Sequence, residues 1–258
     1  MPGRGNLLWT GFGVLALVFL LSPLALVVFF SFAENQNATF PAGGATLHWY
    51  GVLFDDPDFW KALGNSAIVT LTVGLVSMVV GTAAAMTLAR TRPALANALI
   101  GVITLPIMLP PLVLALALAT GYSSLGLPLG LGTVIPSHVV FTQPFVILVV
   151  HAQMASFNMA VVDSARDLGA GPWTIFRTVI LPIIRPTLIG ATLMAMAVSL
   201  DDFIITYFTI GGGMTLPTMI WGMLRKALDP SINALGALVL VATVGTSLIA
   251  LRLTRYRG

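Results

Sequence analysis

The chain has 258 residues, 57% of them hydrophobic and only 8% charged. Soluble domains carry roughly 25% charged residues, so this composition excludes a water-exposed globule. The absence of cysteine excludes disulfides, thiolate metal sites and a cysteine nucleophile, and the net charge of +3 comes from arginines scattered over short loops, not from a nucleic-acid-binding patch.

A hydrocarbon layer about 30 Å thick takes roughly 20 apolar helical residues to cross. The first such run, Leu7–Phe32, follows Arg4. It exceeds the roughly 7–15 residues of a signal-peptide core, which predicts an uncleaved membrane helix. Ala33–Lys61 reads as a polar loop whose Trp49, Tyr50 and Trp60 suit a membrane–water interface. Leu63–Ala89 is the second span, closed by Arg90, Arg92 and Pro93. Ala98–Thr120 is the third, kinked by Pro106, Pro110 and Pro111. Thr133–Phe157 is the fourth and Thr187–Phe208 the fifth. Gly211–Pro230 holds a glycine triplet and an amphipathic piece that starts a helix at Pro217 and lies at the surface. Ile232–Leu251 is the sixth span.

Six spans place both termini on one side. Nine arginines (Arg4, Arg90, Arg92, Arg166, Arg177, Arg185, Arg252, Arg255, Arg257) fall on that side, against three basic residues (Lys61, Arg225, Lys226) on the other. The positive-inside rule makes the arginine-rich side cytoplasmic. The expected fold is therefore an all-α integral membrane protein, a single domain over residues 1–258.

Enzymatic motifs are missing. The sequence holds no G-x-x-x-x-G-K-[ST] phosphate loop, no H-E-x-x-H and no G-x-S-x-G. Gly211-Gly212-Gly213 reads as a hinge or turn. His48, His138 and His151 lack metal-ligand spacing and read as packed or interfacial residues.

The polar segment between the fourth and fifth spans, residues 158–186, is different. Asn158–Leu168 reads as a short helix with Val161, Val162, Ala165 and Leu168 on one face. Asp163, Ser164, Arg166 and Asp167 face elsewhere, and Asp163 can pair with Arg166 at i,i+3. Gly169 suits a left-handed C′ position. After Gly171-Pro172 a second helix carries Trp173, Phe176 and Ile180 as an apolar stripe before Leu181-Pro182. A solvated hairpin and a docking element both fit this pattern.

The segment resembles the EAA loop of ABC-importer permeases: E-A-A, three residues, G, nine residues, I-x-L-P. Here Asp163-Ser164-Ala165, Gly169 and Val179-Ile180-Leu181-Pro182 hold those positions, with Asp163, Ser164 and Val179 as conservative replacements. Ser199-Leu200-Asp201-Asp202-Phe203 and Leu228-Asp229-Pro230-Ser231-Ile232-Asn233-Ala234-Leu235 are similar to the second permease of spermidine/putrescine-type importers. The resemblance covers nearly the whole chain. One departure stands out: where polyamine permeases often carry an acid after the third-span proline, this chain has Pro110-Pro111-Leu112.

The resemblance implies a type I importer permease in the bacterial inner membrane, coupled to ATP through its EAA loop. The implied partners are a second, different permease, two copies of an ATPase subunit and an extracytoplasmic binding protein, all working in a lipid bilayer without nucleic acid. ATP and Mg would sit on the ATPase, leaving this chain without cofactor and without catalytic residues. The loop residues implied to couple are Asp163, Ser164, Ala165, Leu168, Gly169, Trp173, Phe176, Leu181 and Pro182. Gly169 would be the elbow, with Trp173 and Phe176 as apolar anchors.

Asp201 and Asp202 lie roughly 22 Å along the helix from Thr187, in the outer half of the bilayer. Charges there are costly and tend to face a cavity or a partner. Two readings stay open: with Tyr207 they line the path of a cationic solute, or they hold the end of the span. The cargo reading is a polyamine or similar small cation, with iron, thiamine, an opine, a betaine or an organophosphonate as alternatives on the same fold. A stand-alone secondary carrier would need its own ion site and usually repeated halves, and no internal repeat is visible. An intramembrane enzyme would need a motif partnering the two aspartates, and none is present.

Overall fold

The computed structural model describes residues 4–35, 43–226 and 230–255. Those residues form helices and connecting turns; the one β feature among them is an isolated bridge between Ala33 and Ala45. The helices are α1 (Arg4–Ser31), α2 (His48–Asp55), α3 (Pro57–Leu88), α4 (Pro93–Ile103), α5 (Leu105–Met108), α6 (Pro111–Ser124) and α7 (Leu131–Ala155). They continue with α8 (Ala160–Asp167), α9 (Pro172–Ile175), a π-helical turn (Phe176–Ile180), α10 (Leu181–Asp201), α11 (Ile204–Thr209), α12 (Leu216–Lys226) and α13 (Ser231–Arg255). Two compact units result. One draws on residues before Lys61 and on Met219–Ser247; the other is carried by Lys61–Thr218.

Four helical stretches are long and apolar enough to cross a membrane: Trp9–Ser31, Pro57–Leu88, Leu131–Ala155 and Pro172–Asp201. Shorter apolar helices, Pro93–Ile103, Pro111–Ser124 and Ser231–Gly245, occupy the places of the expected third and sixth spans. The third is broken rather than kinked. Thr104 ends α4 and Leu109-Pro110 are extended, because Pro106, Pro110 and Pro111 remove three successive opportunities for the helical ladder to continue.

In the first unit, the expected polar loop after α1 contains a helix. Trp49 is buried, donating from Nε1 to the Ala33 carbonyl (2.7 Å), and the Tyr50 hydroxyl meets Ser31 Oγ at 2.8 Å. These two aromatics close the end of α1. Trp60 alone of the three stays largely exposed, with its indole N–H on the Phe54 carbonyl. Within α1, Pro23 frees the Phe19 carbonyl, and the Ser22 hydroxyl binds it at 2.9 Å. Internal repair of this kind lets a membrane helix keep a proline.

The second unit is centred on α3, α7 and α10. Glycines let α3 approach its neighbours: a Cβ at Gly81 would stand 2.6 Å from Val146 Cγ1 of α7. The main core, Ala85, Val146, Val150, Met154, Ile184, Leu188, Ala191 and Ala195, continues into Phe157, Val162, Ile175 and Ile180 of the polar segment. That segment is therefore packed onto the ends of the long helices. A separate apolar cluster of Leu114, Ala115 and Ile205 joins α6 to α11.

Two expected boundaries change here. The helix entering the fifth span starts at Pro172, not Thr187, and passes Leu181-Pro182 without a break. The π turn explains why: Leu181 N–H reaches back five residues to the Phe176 carbonyl. The widened turn gives room where Pro182 would crowd an α-helical carbonyl. The span then stops at Asp201; Asp202 is extended (ψ 116°) and α11 is a separate helix.

Candidate functional site

Two regions collect the residues singled out in the sequence. The first is the polar segment after α7. Asn158 Oδ1 receives the Ala160 N–H (3.1 Å) as α8 begins. At its end Gly169 has φ +82°, its N–H bonds to Arg166 O (2.8 Å), and Ala170 N–H bonds to Ala165 O (3.0 Å). That bond pair is a Schellman cap, which places Gly169 at C′. Asp163 and Arg166 form the anticipated i,i+3 pair at 3.1 Å, exposed and hence worth little stability.

The apolar faces differ from expectation. Val162 is buried and Ala165 packs on the main core, but Val161 is exposed and Leu168 stands 89% exposed. Leu168 already sits at the helix cap, where the backbone leaves the spiral, so it does not share the inner face of Val162 and Ala165. Trp173, Phe176 and Ile180 are not one stripe either. Ile180 is buried, Phe176 is half-buried on the core, and Trp173 is 70% exposed with its ring tilted against Phe176 at 5.5 Å. Leu181 is partly buried and Pro182 exposed. The loop thus turns a rigid apolar side inward and presents Leu168, Gly169, Ser164 and Trp173 outward.

The second region is the break between α10 and α11. Asp201 and Tyr207 are exposed, whereas the Asp202 side chain is only 10% exposed. Asp202 Oδ2 accepts the Thr206 N–H (2.9 Å) and lies 3.3 Å from the Thr206 hydroxyl and from His138 Nε2. His138, 2% exposed in the middle of α7, also meets Ser199 Oγ through Nδ1 and Thr206 Oγ1 through Nε2, both at 2.8 Å. Asp202 therefore holds the span's end, while Asp201 keeps a free face.

His138 is the member sequence reasoning missed. The signal was present: an ionisable residue inside a membrane-length apolar segment is by default a functional or structural anchor.

Beyond α11 the turn that follows is locked. Thr209 O receives the Gly130 N–H (3.2 Å) and the Thr133 hydroxyl (2.7 Å). Asn65 Nδ2 donates to Met214 O, and Leu216 N–H to Ser66 Oγ. Part of the second subgroup motif, Leu228-Asp229, lies outside the described residues.

Membrane-length apolar helices, a capped glycine elbow at Gly169 and a helix break at Asp202 are the features to set beside known proteins. The fold is shared by solved ABC transporters. A bacterial transporter involved in import of the acidic polysaccharide alginate matches with TM-score 0.73 over 98% of this chain and 97% of that one, at 18% identity. The MetNI methionine transporter, in inward-facing conformations, matches with TM-score 0.62 over 78% and 98%, also at 18% identity. Residues 59–256 match the family described as binding-protein-dependent transport system inner membrane component. The chain belongs to that family and is a permease component of an ABC importer. Among curated relatives, the putrescine transport system permease protein PotI of Escherichia coli (strain K12) is 32% identical over 89% of this chain and 84% of its own length. The spermidine/putrescine transport system permease protein PotC of the same strain is 27% identical over 93% and 91%.

Proposed function

We propose that this permease carries a polyamine, or a similar small organic cation, through the bacterial inner membrane. It does so as one half of a two-permease path. On this reading α4–α6 together form the third of six spans and α13 the sixth, and both termini are cytoplasmic. The elbow around Gly169 is the EAA loop. Asp163, Ser164, Ala165, Leu168, Gly169, Trp173, Phe176, Leu181 and Pro182 form or support its docking side. ATP and Mg are held and hydrolysed by two copies of a separate ATPase, so the chain is not itself an enzyme. An extracytoplasmic binding protein delivers the solute, and the companion permease is a different chain.

The observation that carries the cargo reading is the division of labour between the two aspartates. Asp202 is committed to the helix break, which leaves the Asp201 carboxylate free beside it, with Tyr207 exposed six residues further on, in α11. A carboxylate with a free face in the outer half of a span suits a diamine and repels an anion. The apolar Leu112, where related permeases often have an acid, favours a second reading in which the cation is smaller or singly charged.

The test is transport per ATP. In proteoliposomes holding the complete importer, Asp201→Asn should lower putrescine moved per ATP about fivefold, the worth of one partly solvated ion pair, with ATP hydrolysis retained. Asp201→Glu should restore it. A wild-type ratio for the asparagine variant contradicts a role for Asp201 on the path.

A further inference from the structure

We propose that His138 is a positioning residue for solute handling: it fixes the angle of the α10–α11 break and thereby aims Asp201 at the path. The inference rests on the reading of Asp201 given above and adds a residue to it.

A helix break inside a membrane is expensive. The last carbonyls of α10 and the first N–H groups of α11 have no intrahelical partner, and the bilayer offers no water to satisfy them. Side chains at the break meet this need, since Asp202 Oδ2 accepts the Thr206 N–H and the Thr206 hydroxyl donates to the Asp202 carbonyl, and His138 holds those side chains in place. One buried imidazole touches a residue before the break, one at it and one after it: Ser199, Asp202 and Thr206. The tautomer with its proton on Nε2 satisfies these bonds together. The Thr206 hydroxyl donates to the Asp202 carbonyl (3.0 Å), so its oxygen accepts from Nε2–H in that tautomer. The same N–H faces Asp202 Oδ2, and Nδ1 then accepts the hydrogen bond of the Ser199 hydroxyl. The two ring nitrogens therefore do different work. Nε2 holds the acidic side of the break, and Nδ1 ties the preceding helix.

Asp201 is the residue immediately before that break, so its direction is set by how α10 ends. Releasing Nε2 from Thr206 and Asp202 lets the Asp202 carboxylate swing and the joint rotate. Asp201 then loses its fixed presentation, although nothing that touches the ATPase-facing loop has changed.

Amide substitutions separate the two nitrogens. The glutamine amide nitrogen reaches the place of Nε2, and the asparagine amide reaches only that of Nδ1. In proteoliposomes with the complete importer, His138→Gln should stay within about twofold of wild type in putrescine moved per ATP. His138→Asn should fall about five- to tenfold while ATP hydrolysis continues, as expected when buried polar groups lose a partner. A residue that only fills space predicts instead that both variants lose assembled complex equally, with the transport ratio unchanged in what remains; that result overturns the proposal. If His138→Asn does not assemble, Ser199→Ala and Thr206→Val ask the same question. The first should stay within about twofold, as for His138→Gln, and the second should carry the larger loss; the reverse order overturns the assignment. A loss with Asp201→Asn but none with His138→Asn or Thr206→Val refutes the positioning role alone. No loss with Asp201→Asn refutes both readings.

Discussion

Glutamate at both Leu168 and Trp173 is expected to abolish ATP-driven uptake while leaving the chain folded and inserted. Both side chains point away from the core, at 89% and 70% exposure, because Val162, Ala165, Ile175 and Ile180 supply the inward contacts of the elbow. Substitutions at such positions typically change stability by no more than about 0.5 kcal/mol. Buried apolar anchors at a protein interface are worth about 2 kcal/mol or more each, or roughly 30-fold in affinity per anchor. Losing two and burying two charges should reduce ATPase capture and stimulation to background. Val162→Glu is the instructive contrast. Its side chain is already inside the membrane-end core, so that variant should fail to fold or accumulate. Equal ATPase capture by the double-glutamate variant and the wild type would remove these two residues from the docking surface.

Replacing Gly211 with alanine should cost more stability than the same change at Gly126, although both glycines have left-handed φ, +63° and +68°. At Gly126 an added Cβ meets nothing within 4 Å, leaving only the left-handed penalty of about 1–2 kcal/mol. At Gly211 the Cβ would stand 2.8 Å from the Leu129 carbonyl oxygen. That oxygen cannot retreat easily, because the adjoining Gly130 and Thr133 are both bonded to Thr209 O. Forced overpacking adds about 1–3 kcal/mol. Thermal unfolding of the purified proteins in detergent reads the difference. Equal losses at the two positions would mean that the turn after α11 gives way freely, against the locked arrangement described above.

The sequence was most legible where local chemistry is strong. Gly169 was recognisable as a helix C′ residue, since only a residue without Cβ sits comfortably at φ +82°. The three prolines between Ala98 and Thr120 announced an interruption, and Asp163 with Arg166 announced a surface pair. Legibility failed where tertiary context decides. From Thr187 to Phe208 only Asp201-Asp202 interrupts the apolar run, and two acids do not by themselves mark Asp202 as extended; the break is held by contacts with His138, some sixty residues away in the chain. Leu168 shares helical spacing with Val162 and Ala165, and Trp173 with Phe176 and Ile180, yet the cap and the short length of α9 give the members of each set different exposure. Trp49 carries the signature of an interfacial tryptophan, but the Ala33 carbonyl gives its indole N–H a buried partner. In each case the residue type was informative and the direction of the side chain was not.

On the function proposed above, energy enters this permease through the elbow at Gly169. The sequence contains no cysteine, so a single thiol can be introduced into this chain without a competing thiol of its own. Leu168→Cys and Leu125→Cys both create exposed positions, one on the elbow and one on the link between α6 and α7. The complete importer carrying either thiol would be treated with a short thiol-directed photocrosslinker, and the captured subunit identified. Leu168→Cys is expected to capture the ATPase subunit, with a yield that changes when ATP is bound, and Leu125→Cys is expected never to do so. Capture of the ATPase from Leu125→Cys, or none from Leu168→Cys in a complex that still transports, would contradict entry through the elbow.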